Sequence, residues 1–163
     1  MFATAAEADD TDMFHAKKDL KIERLSQVEL FRRCSAVDLM HLATIADEVD
    51  LPAGYELCRE GRVAQECFVL VRGEAAVEIG GEQVAIIGPG ETIGEMGLLE
   101  HKPRSATVRA VTPVSTYVIA RNRFDDLLER YPSVARLILA ELSGRLRQAD
   151  ERAPARVPAG SAA

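Results

Sequence analysis

The residues whose types and spacing could do chemistry run from Gly94 to Val108: Gly94-Glu95-Met96-Gly97-Leu98-Leu99-Glu100-His101-Lys102-Pro103-Arg104-Ser105-Ala106-Thr107-Val108. Neither strand alternation nor a helix of ordinary length fits this stretch, whereas a single helical turn from Glu95 to Leu99 does. The first backbone N–H groups of such a turn have no intrahelical partner and point at whatever sits before Gly94, a place that suits an anion. Gly94 and Gly97 carry no Cβ, so the backbone there is expected to approach a phosphate closely. Arg104, beyond a turn at Lys102-Pro103, can fold back over the same spot and offer its planar fork to two phosphate oxygens. Glu95 would be repelled by a phosphate unless it faced a neighbouring hydroxyl and accepted its hydrogen, and a ribose supplies one. One acceptor, one fork and a turn of free amides within eleven residues suit a nucleotide sugar phosphate better than an inorganic anion. Taken singly, each residue also has a plainer reading: Glu95 opposing the positive end of the turn, Arg104 in a surface ion pair.

The elements that must hold this segment are short strands, one ending near Ile93 and the next beginning near Ala106. Upstream, apolar runs alternate with glycine-bearing breaks at Pro52-Ala53-Gly54, Arg59-Glu60-Gly61, Arg72-Gly73-Glu74, Gly80-Gly81 and Gly88-Pro89-Gly90, the punctuation of an all-β region. Gly80-Gly81 suits a two-residue hairpin turn, because both central positions must tolerate positive φ. Strand character returns over Val108 to Val111 and Ser115 to Ile119, which makes a compact roll of about eight strands. Helices flank it. Ser26 with Glu29 reads as a capping box, Ser35 with Asp38 as a second helix start, and Val37, Met40, Leu42 and Ile45 give an apolar face within a helical stretch from Ser26 to Val49. Phe124, Leu127 and Leu128 form a short helix that stops at Tyr131-Pro132. A longer helix from Ser133 to about Asp150 carries Val134, Ile138, Leu142 and Leu146, widened by Leu137 and Leu139, and covers either the open edge of the roll or a homodimer seam. Residues 1–18 lack an apolar period and read as a flexible tail, 19–152 as the folded domain and 153–163 as a disordered tail.

Composition narrows the function. The chain has 163 residues, 47% of them apolar and 28% charged, which suits one globular domain. Acidic residues outnumber basic ones 26 to 20, for a net charge of −6, so nucleic acid is not an expected partner. Nothing basic follows Asp150 except Arg152 and Arg156, and Pro154 interrupts the helix, so an appended helix-turn-helix is not expected either. Cys34, Cys58 and Cys67 lack C-x-x-C spacing and read as buried thiols rather than as a disulfide framework or a zinc site. His15, His41 and His101 are scattered, which argues against a cupin-like metal centre. The N-terminus lacks a secretory pattern and no apolar run is long enough to cross a bilayer, so a cytoplasmic protein without a membrane partner is expected.

The cassette resembles the phosphate-binding segment of the cyclic-nucleotide-binding domain family, whose pattern is Gly-Glu, a short helical turn, then Arg followed by Ser, Ala or Thr and by Ala. Gly94, Glu95, Arg104, Ser105 and Ala106 match it, and the resemblance extends over roughly residues 22–150. It implies a mainly β fold, an eight-stranded double-stranded β-helix (a β-roll or jelly roll) with N-terminal helices, a short cassette helix and two C-terminal helices. It also implies that Glu95 accepts from the ribose 2′-hydroxyl, that Arg104 anchors the cyclic phosphate, and that the amides of Met96, Gly97 and Ala106 face its oxygens. Ser105 occupies the position that in the family bears on the base, with a lean to cyclic AMP over cyclic GMP. A further implication is a non-catalytic sensor with no cofactor beyond its cyclic nucleotide, acting on an effector protein in trans. The long last helix would swing over the base as a lid, where Ala149, Asp150 and Glu151 replace the hydroxyls of bacterial cyclic AMP receptors. The runner-up is a protein of the same fold that has lost its ligand and serves protein–protein interaction.

Overall fold

A computed structural model describes residues 5–152. Its elements are α1 (Ala5–Ser26), a 3-10 turn (Glu29–Phe31), α2 (Ala36–Ile45), β1 (Ala46–Leu51), β2 (Glu56–Cys58), β3 (Glu66–Arg72), β4 (Ala75–Ile79), β5 (Glu82–Ile87), β6 (Thr92–Ile93), α3 (Glu95–Glu100), β7 (Thr107–Ala110), β8 (Val114–Ala120), α4 (Arg121–Arg130) and α5 (Pro132–Arg152). The eight strands form two four-stranded sheets, ordered β1-β8-β3-β6 and β2-β7-β4-β5, and every pairing is antiparallel. This is the expected eight-stranded roll with helices at both ends.

Side-chain alternation divides the interior in two. Leu57, Phe68, Leu70, Ile93, Val108 and Val114 fill the space inside the roll. The opposite face of β3 and β8, through Val69, Tyr117 and Ile119, packs against Phe31, Leu42, Leu98, Phe124, Val134 and Ile138 from the helices. Burying each of these larger side chains contributes about 1.5–3 kcal/mol. The Gly80-Gly81 turn has φ of 59° and 83°, the positive values that join β4 to β5 in a tight hairpin.

At α2 the Ser35/Asp38 capping box is present in both directions. Asp38 also accepts from the Ser133 hydroxyl at 3.1 Å, which fastens the start of α2 to the start of α5. Pro132 occupies the first position of α5, where a missing N–H leaves no bond unmade. Val134 and Ile138 are buried with the helical cluster, and Glu141, 2% exposed, is paired with Arg32 at 3.1 Å and Arg33 at 3.4 Å. Thus α5 docks chiefly on α4 and the 3-10 turn, while Leu139 and Leu146 stay exposed.

Three local expectations are corrected. The stretch 5–18 is helical, because alanine, glutamate and lysine favour helix without an apolar face. The end of α1 is tied down: Leu25 is buried, Lys21 Nζ donates to Ala46 O at 2.7 Å, and Arg24 donates to the Tyr117 hydroxyl at 3.2 Å. Ser26 ends α1 instead of capping the next turn, and its hydroxyl donates back to Glu23 O at 2.6 Å. Residues 46–49 are strand, not helix, because β8 takes Ala46–Leu51 as its edge partner in register. The C-terminal tail, 153–163, lies outside the described residues.

Burial works to raise the Asp38 pKa, but hydrogen bonds from the Ser35 hydroxyl and amide and from Ser133 outweigh it and hold the carboxyl below its usual range. The stability it contributes is therefore complete above the unfolded value of about 3.9 and lost as pH falls below that, through the lower folded value. Asp38→Ala is expected to cost about 1–2 kcal/mol at pH 7. Urea denaturation at pH 7 and at pH 3 checks this, with the gap between wild type and variant narrowing in acid; an unchanged gap would contradict it.

Candidate functional site

Left-handed backbone on both sides confines α3 to its six residues: Gly94 has φ of 82° and His101 has φ of 54°. Its first intrahelical bond runs from Leu98 N to Gly94 O at 3.3 Å, so the amides of Glu95, Met96 and Gly97 precede the ladder. Leu98 is buried in the helical cluster and holds the turn down, while Met96 faces outward.

Arg104 is fixed by its backbone before its side chain matters. Its N–H donates to Arg62 O at 2.7 Å, its carbonyl accepts from Gly61 N at 2.9 Å, and the adjacent Pro103 bridges to Val63. The side chain then turns inward. Nη1 donates to Gly94 O at 3.2 Å, and Nη2 donates to Glu66 O at 2.5 Å and to the Glu66 carboxylate at 3.3 Å. With 6% of the residue exposed, the guanidinium is an interior cation supplied with acceptors from α3 and β3.

The two cassette glycines have a packing reason within the protein. A Cβ on Gly94 would stand 1.7 Å from Arg104 Nη1, and one on Gly97 would stand 2.8 Å from Ala64 Cβ and 3.3 Å from Lys102 O. Their missing side chains make room for the arginine and for close packing of α3 on its neighbours.

Gly94, Glu95, Met96, Gly97, Arg104, Ser105 and Ala106 all line one cavity of about 350 Å³, a size that small-molecule sites occupy. Val77, Ile87, Ile93 and Val108 form its apolar wall, and Lys102 and Glu100, paired at 3.5 Å, lie at its margin. None of the described α5 residues lines it, so Asp150 and Glu151 are not positioned to cap a base in this conformation.

Burial raises the pKa of all three cysteine thiols. Burial, followed by the Glu95 carboxylate, pushes the Cys67 thiol up to about 12. Cys58 is likewise raised by burial, which outweighs the opposing pull of Arg104, and its thiol lies 3.6 Å from Ala106 O. Cys34 is only half-buried, and burial with nearby Asp38 still raises it to about 11. Among the described residues no three His, Cys, Asp or Glu side chains cluster as metal ligands, and His41 stacks on Tyr131 at 3.7 Å. No helix among them is long and apolar enough to cross a membrane.

Two contributors escaped sequence reasoning. Glu66 lies 38 positions before the arginine it pairs with, and its only local signal is a carboxylate opening an otherwise apolar strand. Arg121 donates from Nη2 to Gly97 O at 3.2 Å, and nothing in its neighbourhood marks it out from other helix-start arginines.

With this geometry in place, comparison with known proteins defines the class. The sequence pattern of the cyclic nucleotide-binding domain matches residues 48–131, and the chain belongs to that family. It is 34% identical over 104 residues to the cyclic AMP receptor protein of Thermus thermophilus, covering 61% of this chain and 48% of that one. It is 32% identical over 114 residues to a cyclic nucleotide-gated potassium channel of Rhizobium etli, covering 70% of this chain and 32% of the channel. The regulatory domain of Toxoplasma gondii PKA, solved as a co-crystal with cAMP, superposes with a TM-score of 0.63 at 29% identity, covering 69% of this chain and 44% of that one. The chain thus spans less than half the length of these relatives.

Gly94→Ala adds a side chain into the Arg104 guanidinium as well as straining a left-handed backbone, whereas Gly90, with φ of 89°, has open space around its missing Cβ. Gly90→Ala is expected to cost about 1–2 kcal/mol and Gly94→Ala more than that. Urea midpoints of the two variants check this, and equal losses would show that Arg104 does not occupy the space beside Gly94.

Proposed function

We propose that this chain binds a cyclic mononucleotide, cyclic AMP in preference to cyclic GMP, as a non-catalytic sensor whose output goes to a partner in trans. The observation that carries the reading is the buried Arg104 guanidinium, packed against Gly94 at the mouth of a turn whose first amides precede its hydrogen-bond ladder. A ring-closed phosphodiester has one negative charge and exocyclic oxygens for both donors. On its arrival Arg104 exchanges the Glu66 carboxylate for phosphate, and the amides of Met96, Gly97 and Ala106 take the remaining oxygens. Glu95, on the same cavity, accepts from the ribose hydroxyl, while Val77, Ile87 and Val108 face the base.

The preference for adenine is supported by Ser105 and by two relatives whose names or titles carry cyclic AMP. A channel, a receptor protein and a kinase regulatory domain share this module, so the output is set by what the module meets rather than by the module itself. One observation favours a second reading, an interaction module without ligand: Gly94 and Glu66 already satisfy the Arg104 fork.

Calorimetric titration of cyclic AMP and cyclic GMP into wild type separates the two. Binding of cyclic AMP is expected, the tighter of the two, and weakened at least about tenfold in Arg104→Ala, since hydrogen bonds to a charged group are worth about 1.5–3 kcal/mol. Arg104→Lys restores the charge without the fork and recovers only part of the loss. Absence of binding to either nucleotide in a folded wild type would overturn the proposal in favour of the interaction module.

A further inference from the structure

We infer that α1 is a self-complementary interaction surface on which a second copy of this chain docks antiparallel, the acidic half of one helix over the basic half of the other. α1 runs Ala5–Ser26, and residues three and four apart share one of its faces. Positions 7, 10, 14, 17 and 21 follow that alternation and hold Glu7, Asp10, Phe14, Lys17 and Lys21, with Lys18 adjoining. The remaining acidic positions of the helix, 9, 12, 19 and 23, fall on the opposite side. One face is thus acidic at its start, aromatic at its middle and basic at its end.

Within one copy this order is unfavourable. Glu7 with Asp10, and Lys17 and Lys18 with Lys21, are like charges at the three- or four-residue spacing where neighbours on a helix repel. Neither Lys17 nor Lys18 has a carboxylate three or four positions away in either direction. The helix dipole favours acid in the first turn and base in the last, so it accounts for Glu7 and Arg24. It does not account for Asp10, Lys17 or Lys18, which lie beyond those turns. Phe14 is 70% exposed, although an aromatic ring is among the side chains that gain most from burial.

A two-fold axis crossing α1 at Phe14 relieves all of this. It sets the two rings together and brings position 7 of one copy opposite position 21 of the other, and position 10 opposite position 18. Such a contact is isologous and closes at two copies. Space for the second helix is present in a groove of about 390 Å³ between α1 and the end of α2, lined by Phe14, Lys17, Lys18, Lys21, Ala43 and Thr44. Glu48 also lines it but is paired with Arg24 at 3.6 Å, so lysine sets the charge of the groove. Lys21 Nζ, held by Ala46 O at 2.7 Å, fixes its inner end. The acidic half of the second copy therefore meets a basic groove, in a chain whose net charge of −6 otherwise makes its copies repel.

Sedimentation of the full chain tests the surface. At about 100 μM and low salt wild type is expected as a dimer, and in about 1 M salt, which screens exposed charges, as a monomer. Lys17→Glu with Lys18→Glu, and separately Glu7→Lys with Asp10→Lys, are each expected to be monomeric at low salt, with urea midpoints confirming that both variants fold. An equimolar mixture of the two is expected to form a heterodimer, because an acidic face then meets a basic one. Leu139→Ser with Leu146→Ser, on the exposed side of α5, is expected to leave the dimer intact. A wild type that is monomeric at low salt, a dimer that survives either charge reversal, a mixture that stays monomeric, or a dimer lost in the α5 variant overturns the inference. None of these outcomes bears on the binding proposal, which rests on the cassette cavity alone.

Discussion

A guanidinium cannot sit inside a small protein without acceptors, because a buried charge left unpaired costs several kcal/mol. Arg104 meets that demand with carbonyls from α3 and β3 and one carboxylate, and the rest of the site is arranged around it. Gly94 must lack a side chain to admit Nη1. The left-handed φ that only glycine takes easily at this position is also what starts α3 immediately beyond β6. One residue thereby satisfies the arginine and aims the turn, which links the electrostatics of the cavity to its backbone geometry.

The roll supplies the rigidity that such a site needs. Segment 61–63 clamps the backbone of Arg104, and β6, paired through Ile93 with Phe68 of β3, brings Gly94 alongside Glu66. The helices are organised by a separate set of buried polar groups. Asp38 joins α2 to α5 through Ser133, and Glu141 joins α5 to Arg32 and Arg33. Removing one partner of a buried pair is costly, so α5 is held on the helical side by specific contacts as well as by Val134 and Ile138. Its position away from the cavity has this definite cause, and a lid motion over the base would require those contacts to break.

The parts legible in the sequence were those whose cause is local. Gly80-Gly81 specifies a turn by φ alone, Ser35 with Asp38 caps a helix within four residues, and Pro132 restricts Tyr131 beside it. The cassette was legible for the same reason, since all seven of its predicted residues fall in one short segment and do meet on one cavity. What escaped depends on contacts distant in sequence. The Ser26/Glu29 spacing imitates a cap, but Lys21 and Arg24 carry α1 onward by reaching Ala46 and Tyr117. Residues 46–49 have helical neighbours, yet the edge of β8 takes them as strand. Glu66 and Arg121 owe their roles entirely to partners at 104 and 97, and no spacing within either neighbourhood signals that.

The central claim, that the interior arginine of the cassette exchanges protein acceptors for a cyclic phosphate, is tested most directly at its own nitrogen. In a nitrogen-15 spectrum of arginine side chains, the Arg104 Nε–H resonance is expected to be protected from solvent in the free protein and to move to a new position as cyclic AMP reaches saturation. A resonance that stays where it was, in a sample shown by calorimetry to be fully bound, would contradict the account.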